Sequence, residues 1–504
     1  MDSSRKSTLR EENLESNDNQ CTENNSQNTS KNLIENEQIL KNIFQNCSDI
    51  VFRKITIHGQ TRLLLIYVDG MVDTDIINSN VLRPLLYDGL PQGLGTIDSV
   101  AQMCEEELLS VLQTKKLSDF GDITEHILKG NLAILADKET SALLVDVKKF
   151  ETRSIEEPAN EPSLRGSRES FTENLRTNTT MLRRIIATPK LKIESVKIGK
   201  LTHTDVAVVY IEGTVSMPVL NKIRERLNRI QVDGILESGD IEEFIEDTHF
   251  SPFPQMLNSE RPDVVAAGLL EGRVAILTNG SPSTLVAPMT FWAGLQAPDD
   301  YSQRFLFISL VRWIRYVFTI ISVLLPPLYI ALTNFHPEMV PPILMLNIAS
   351  LRESAPFPTV IEVLMMEIVF EGLQEAGIRL PKQIGPLVSI VGALVIGEAA
   401  VNAGIISAPV VIIVSTAGIA SFIIPRYSFA FPMRMLRFPL LILSGLFGLF
   451  GIAIGIITII IHLIHLSSFG APYLSPVAPF DKRGFKDVLI RWPRKLVKKG
   501  GDNP

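Results

Sequence analysis

The chain has 504 residues, too many for one ordinary domain, with 46% hydrophobic and 20% charged residues. Two or three folding units are therefore expected, with charge and apolar content segregated along the chain. A formal net charge of −7, without a basic stripe carrying interleaved aromatics, argues against nucleic acid as a partner. The three cysteines, Cys21, Cys47 and Cys104, have no CxxC spacing and exclude a disulfide framework or a cysteine zinc site.

Residues 1–35 are rich in Asn, Ser, Glu and Lys. They offer too little apolar surface to offset the entropy of ordering, and no apolar segment that would read as a secretory signal. Disorder is expected there, and no export of the soluble half. A helix is expected from Leu33 towards Phe44. Two strand-like stretches then echo each other: Leu64 to Gly70 resembles Val208 to Gly213, with Tyr67 and Tyr210 offset by 143 residues. Lys129 to Leu135 likewise resembles Glu271 to Leu277, with Gly130 and Gly272 offset by 142. Two matches in one order at nearly one offset point to a duplicated unit, each an apolar run with a glycine turn signal.

Helical patterns at Asn78 to Tyr87, Ser99 to Leu112 and Val219 to Ile230 fall between these strands. The reading is an α/β soluble region of two related subdomains, 36–150 and 187–300, joined by a linker and helix over 151–186. An α-helical polytopic transmembrane domain follows over 301–480, with about four to six membrane helices, and then a basic cytoplasmic tail over 481–504.

Within the membrane half, Leu306 to Leu332 is long enough to span, with Arg312 and Arg315 anchoring its cytoplasmic end. Val340 to Leu351 is too short to span. Ile384 to Gly397 and Ala399 to Pro425 read as two linked spans, and Phe438 to Leu466 as the last. Lys482, Arg483, Arg494, Lys495, Lys498 and Lys499 make the tail a membrane-surface basic segment facing anionic lipid. Arg426, Arg434 and Arg437 form another basic stretch. It shares a face with the tail only if the last apolar stretch re-enters, and the residues alone leave that open.

The segment Pro358 to Leu380 sets acids among apolar residues. At 100° per residue, Glu367, Glu371 and Glu375 share an 80° arc, and Glu362 lies opposite Glu371. Carboxylates at bilayer depth are costly and usually face water, a partner or a pore. In a symmetric oligomer they would form a ring that concentrates cations. An amphipathic helix on the membrane surface fits the same pattern. Glu398 and Asn402, four apart, are a second intramembrane polar candidate, or a helix–helix hydrogen bond. No catalytic constellation, metal site or cofactor motif stands out. Gly89 to Gly95 lacks the Gly-Lys-Ser/Thr ending of a phosphate loop, His462 and His465 have no third ligand, and Asp73 reads as a helix cap.

The strings Arg352-Glu353-Ser354-Ala355-Pro356-Phe357-Pro358 and Glu371-Gly372-Leu373-Gln374-Glu375-Ala376-Gly377-Ile378-Arg379-Leu380-Pro381 resemble the A subunit of the GerA-type spore germinant receptors. So do Phe171 to Asn178, Ser251 to Gln255, Glu260 to Val265 and Leu270 to Leu277, from about residue 40 to the tail. The resemblance implies a non-enzymatic protein of the inner spore membrane, with its soluble region facing the cytoplasm or spore core. It implies a transporter-like B subunit and a lipoprotein C subunit as partners. It further implies a homo-oligomer acting as a nutrient-gated channel for monovalent cations. A nutrient transporter or permease subunit, and a non-conducting scaffold, are the alternatives.

Overall fold

A computed structural model of the chain describes residues 28–57, 61–83, 113–149, 161, 166–379 and 395–492. The expected helix at Ser99 to Leu112, the Gly89 to Gly95 segment, most of the polar N-terminus and Ile384 to Leu394 lie outside the described residues. So do Arg494, Lys495, Lys498 and Lys499. The chain divides into two compact units: 1–159, 168–245 and 259–286 form the first, and 160–167, 246–258 and 287–504 the second.

The first unit is built from two copies of one pattern. Helix α1 (Leu33–Ile43) starts where the Asn32 side chain accepts the Ile34 N–H. Strands β1 (Ile50–Ile57), β2 (Thr61–Val68), β3 (Thr114–Leu117), β4 (Asn131–Ala136) and β5 (Ala142–Asp146), with helix α2 (Phe120–Leu128), make a sheet ordered β1-β2-β4-β5-β3. After α3 (Leu175–Ile185), strands β6 (Leu191–Ile198) and β7 (Thr204–Ile211) begin the second sheet. Helices α4 (Met217–Arg229) and α5 (Ser238–Ile245) follow, then β8 (Leu257–Ser259), α6 (Pro262–Leu270), β9 (Val274–Thr278) and β10 (Thr284–Ala287). The second sheet runs β6-β7-β9-β10-β8, the same order.

The repeated strings are the equivalent central strands, β2 with β7 and β4 with β9. Their leading glycines, Gly130 and Gly272, take φ of +88° and +84°, a region that side chains with a Cβ avoid. The unbroken apolar run of β2 has a simple cause, since the strand is covered on both faces. Leu64, Ile66 and Val68 join a core with Leu40, Phe44, Phe120 and Ile123, while Leu63 and Leu65 join another with Ile77, Val81 and Leu82. Asp73 caps the short helix Thr74–Ile76 by accepting the Asp75 and Ile76 N–H groups.

A polar joint ties the two sheets. Fully buried Arg183 on α3 makes a bidentate pair with Asp49, Nε and Nη2 each 2.9 Å from a carboxylate oxygen. Its Nη1 also donates to the carbonyls of Thr188 and Leu191, both at 3.0 Å. Beside it the Ser48 N–H donates to Ile193 O at 2.9 Å.

The second unit holds the apolar helices. Helix α7 (Phe305–Asn334) runs for 30 residues through Pro326-Pro327, and two residues expected as anchors, Arg312 and Arg315, are buried in its first turns. Shorter helices follow: α8 (Pro342–Arg352), α9 (Thr359–Arg379) and α10 (Ala408–Ser421). Then comes α11 (Tyr427–His465), with 39 residues. Among the described residues, α7 and α11 are long and apolar enough to cross a membrane. The single span expected over Ala399 to Pro425 is not continuous. A helix over 395–402 ends in a turn, Gly404 takes φ of +64°, and α10 starts at Ala408 with Pro409 in its first turn.

The last apolar stretch also differs from the single span expected. It reverses at Gly448, where φ is 61° and ψ is −138°, far from helical values. A Cβ added at Gly451 would run into Leu443 O, and one at Gly455 into Leu440 Cδ2, so the second limb lies directly on the first. Both ends of α11 meet the same aromatic ring. Phe253 lies 6.3 Å from Phe429 at the start of the helix and stacks at 6.0 Å on His462 near its end. Each limb is about 25–30 Å long at 1.5 Å per residue, close to the thickness of a bilayer core.

Candidate functional site

The acid-bearing helix α9 lies between α10 and the first limb of α11. Its N-terminal end meets the end of α7, where Thr359 Oγ1 donates to Asn334 Oδ1 at 2.9 Å. From there it runs antiparallel to the first limb of α11. Val360 touches Gly445, Glu367 pairs with Arg437, and Glu371 pairs with Arg434. The 3.6-residue repeat sets this register: Glu367 and Glu371 are one turn apart, as are Arg437 and Arg434, so the four charges form two rungs of opposite sign.

The rungs differ in burial and in hydrogen bonding. Glu367 and Arg437 are 0% and 1% exposed at the side chain and make one contact, Arg437 Nη1 to Glu367 Oε2, at 2.5 Å. Glu367 Oε1, Arg437 Nε and Arg437 Nη2 find no partner among the described residues. Arg434 Nη1 stands 3.6 Å from Glu371 Oε2, beyond hydrogen-bond reach, and the guanidinium lies 5.9 Å from the Tyr427 ring centre and 6.0 Å from that of Phe431.

Glu362 faces elsewhere and is fully buried. Its Oε2 accepts both the Ser407 N–H, at 2.8 Å, and the Ser407 hydroxyl, at 2.7 Å. Ser407 is the N-cap of α10, so Glu362 places a carboxylate at the positive end of that helix. Glu375 is exposed and pairs within its own helix, accepting from Arg379 Nε at 2.8 Å. Glu398 and Asn402 are both exposed on the 395–402 helix. Of the basic candidates, Lys482 and Arg483 open α12 (Lys482–Leu489). The site thus brings together Glu367 and Glu371, with Glu362 about one and a half turns before Glu367, and leaves Glu375, Glu398 and Asn402 apart.

The sequence groups Arg434 and Arg437 with Arg426 as a basic stretch and does not mark them as partners of the acids. The available signal was their three-residue spacing inside an otherwise apolar run, matching the four-residue spacing of Glu367 and Glu371. A second charge cluster was also missed. Asp300, 1% exposed, holds Arg312 Nε at 3.0 Å and Arg315 Nη1 at 3.0 Å, and Arg312 reaches Asp487 of α12 at 3.3 Å. Tyr301 donates to Asp487 at 2.6 Å, and Arg491 Nη2 to Tyr301 O at 2.9 Å. The tail helix is thereby clasped to the base of α7.

Comparison with known proteins adds the family. A model described as Bacillus/Clostridium GerA spore germination protein matches residues 38–501, which covers both units. The uncharacterized membrane protein YfkQ of Bacillus subtilis (strain 168) is 46% identical over 92% of this chain and 90% of its own length. Spore germination protein KA of the same organism is 42% identical over 88% of this chain and 82% of its own. Spore germination protein GerLA of Bacillus cereus is 38% identical over 93% and 94%. A crystal structure of the N-terminal domain of the A subunit of the Bacillus megaterium spore germinant receptor GerK3 is 35% identical. It covers 52% of this chain and 97% of that one, with a TM-score of 0.42. A match that runs unbroken through the paired sheets and the charged apolar helices alike places the chain in one family: it belongs to the Bacillus/Clostridium GerA spore germination proteins.

Proposed function

We propose that this chain is the A-type subunit of a nutrient germinant receptor in the inner spore membrane, with its α/β region facing the spore core. It assembles with a transporter-like B subunit and a lipoprotein C subunit. Copies of it associate into a nutrient-gated channel for monovalent cations, whose opening triggers germination. Nutrient binding in a partner shifts a closed–open equilibrium in this chain. The observation that carries the reading is the family match over 38–501, joined to carboxylates on a helix of the apolar unit. A carboxylate in such surroundings is expensive to keep unless it serves transport or a partner.

The test is cation release from liposomes holding the complete receptor, with and without nutrient. Glu367→Gln and Glu371→Gln should change release or ion selectivity while the subunits still co-purify. Normal efflux and selectivity in both variants would remove the carboxylates from conduction. Flux from the receptor without this chain would assign conduction to the transporter-like partner instead.

A further inference from the structure

Two arginines sit at mid-length of the apolar helices with their charge only half used. Glu367 lies about 12 Å along α9 from its Thr359 end, and Arg437 about 15 Å along α11 from its Tyr427 end. The inner rung is therefore far from both ends of the layer these helices form. A guanidinium that satisfies a carboxylate well does so with two parallel N–H donors. Arg437 uses one, and its Nε and Nη2 are unpartnered among the described residues, as is Glu367 Oε1. Arg434 pairs by charge alone at 3.6 Å, with its Nε and Glu371 Oε1 also unpartnered. The rungs cancel charge without saturating it. That is what is needed if helices must part again, because the attraction fixes register while little hydrogen bonding has to be undone.

We propose that Arg437 and Arg434 are positioning residues for the conduction assigned above. In the state described here they neutralise Glu367 and Glu371 and hold α9 in one register against the first limb of α11. Sliding of α9 frees the carboxylates to meet water and cations. Neutral contacts beside the ladder report the register. A Cβ built at Gly445 lies 3.5 Å from Val360 Cβ, within disulfide range.

The experiment uses the full chain with its partner subunits, with Cys21→Ser, Cys47→Ala and Cys104→Ser, carrying Val360→Cys and Gly445→Cys. Oxidative cross-linking should be fast in this background and slower by about tenfold or more when Arg437→Gln leaves Glu367 unpaired. Arg437→Lys, which keeps one charged donor, should restore it, and so should the exchange Glu367→Arg with Arg437→Glu. Arg434→Gln on the less deeply buried outer rung gives a milder form of the loss if Arg437→Gln does not assemble. Unchanged cross-linking in both glutamine variants, or no recovery in the exchanged pair, overturns the lock. Nutrient-independent cation leak should accompany lost cross-linking. If cross-linking falls and recovers as expected while no variant alters flux, the lock stands and the channel assignment falls.

Discussion

Arg183 with Asp49 and Arg437 with Glu367 are both buried arginine–carboxylate pairs, and they are built to opposite ends. In the α/β unit, Arg183 makes two 2.9 Å bonds to Asp49 and two more to carbonyls, so nearly every donor is used. In the helical unit, Arg437 makes one bond to Glu367 and leaves two nitrogens idle among the described residues. A saturated pair resists separation because every donor parted from its acceptor must find another. An unsaturated one keeps most of the attraction with less to lose on parting. The first joins two copies of one fold through a nearly saturated arginine. The second holds two helices in a reversible register.

Replacing Arg183 by Met gives the sharpest break, since it strands Asp49 as a buried, unpaired charge at a cost of about 3–5 kcal/mol. Labelling of the buried Cys47 thiol, which lies at the same joint with its Sγ 3.6 Å from Leu191 O, should accelerate in a Cys21→Ser, Cys104→Ser background. Gly448→Val should cost about 2–3 kcal/mol, because a β-branched residue cannot hold φ of 61° and Phe335 already lies against that site. Loss of a disulfide engineered between the two limbs of α11 would register it. The comparison itself is tested by one substitution at both arginines. Arg183→Lys should cost about 2 kcal/mol by losing a bidentate pair, and Arg437→Lys under about 1 kcal/mol. Equal losses in thermal melts of the two variants would erase the distinction.

The smallest effect expected lies in the α/β unit alone. Burial, with Lys115 and Lys129 nearby, holds the His126 imidazole below its usual value of 6.5, and its Nδ1 lies 3.0 Å from Asn131 Nδ2. The unfolded chain then takes up the proton at higher pH than the folded one. Stability from this group is present above about pH 6.5 and lost as pH falls through the folded value. His126→Gln should flatten that acid limb, a change of about 1 °C in the melting temperature.

Much of the fold was legible because it is written in local periodicity. The two echoes at offsets of 143 and 142 residues became equivalent strands of two sheets with one strand order. Helix α1, the Asp73 cap and the long helix around Tyr316 to Leu332 followed from pattern and capping chemistry. The acids of α9 were visible for the same reason, since charge in an apolar run needs no partner to be noticed.

What stayed hidden was pairing over distance. Glu367 and Arg437 are 70 residues apart, Asp487 meets Arg312 across 175, and Arg183 meets Asp49 across 134. The two basic segments left re-entry of the last apolar stretch open, but its position at Gly448 was not readable. An apolar run containing glycine reads as one helix by composition, and only packing of Gly451 and Gly455 on the preceding limb turns it back. The amino-acid order by itself determined which segments are helix, strand or apolar, because those depend on neighbours within a few residues. The tertiary structure decided which charges face each other and which ends share a face, because those depend on contacts that the chain makes only after it has folded.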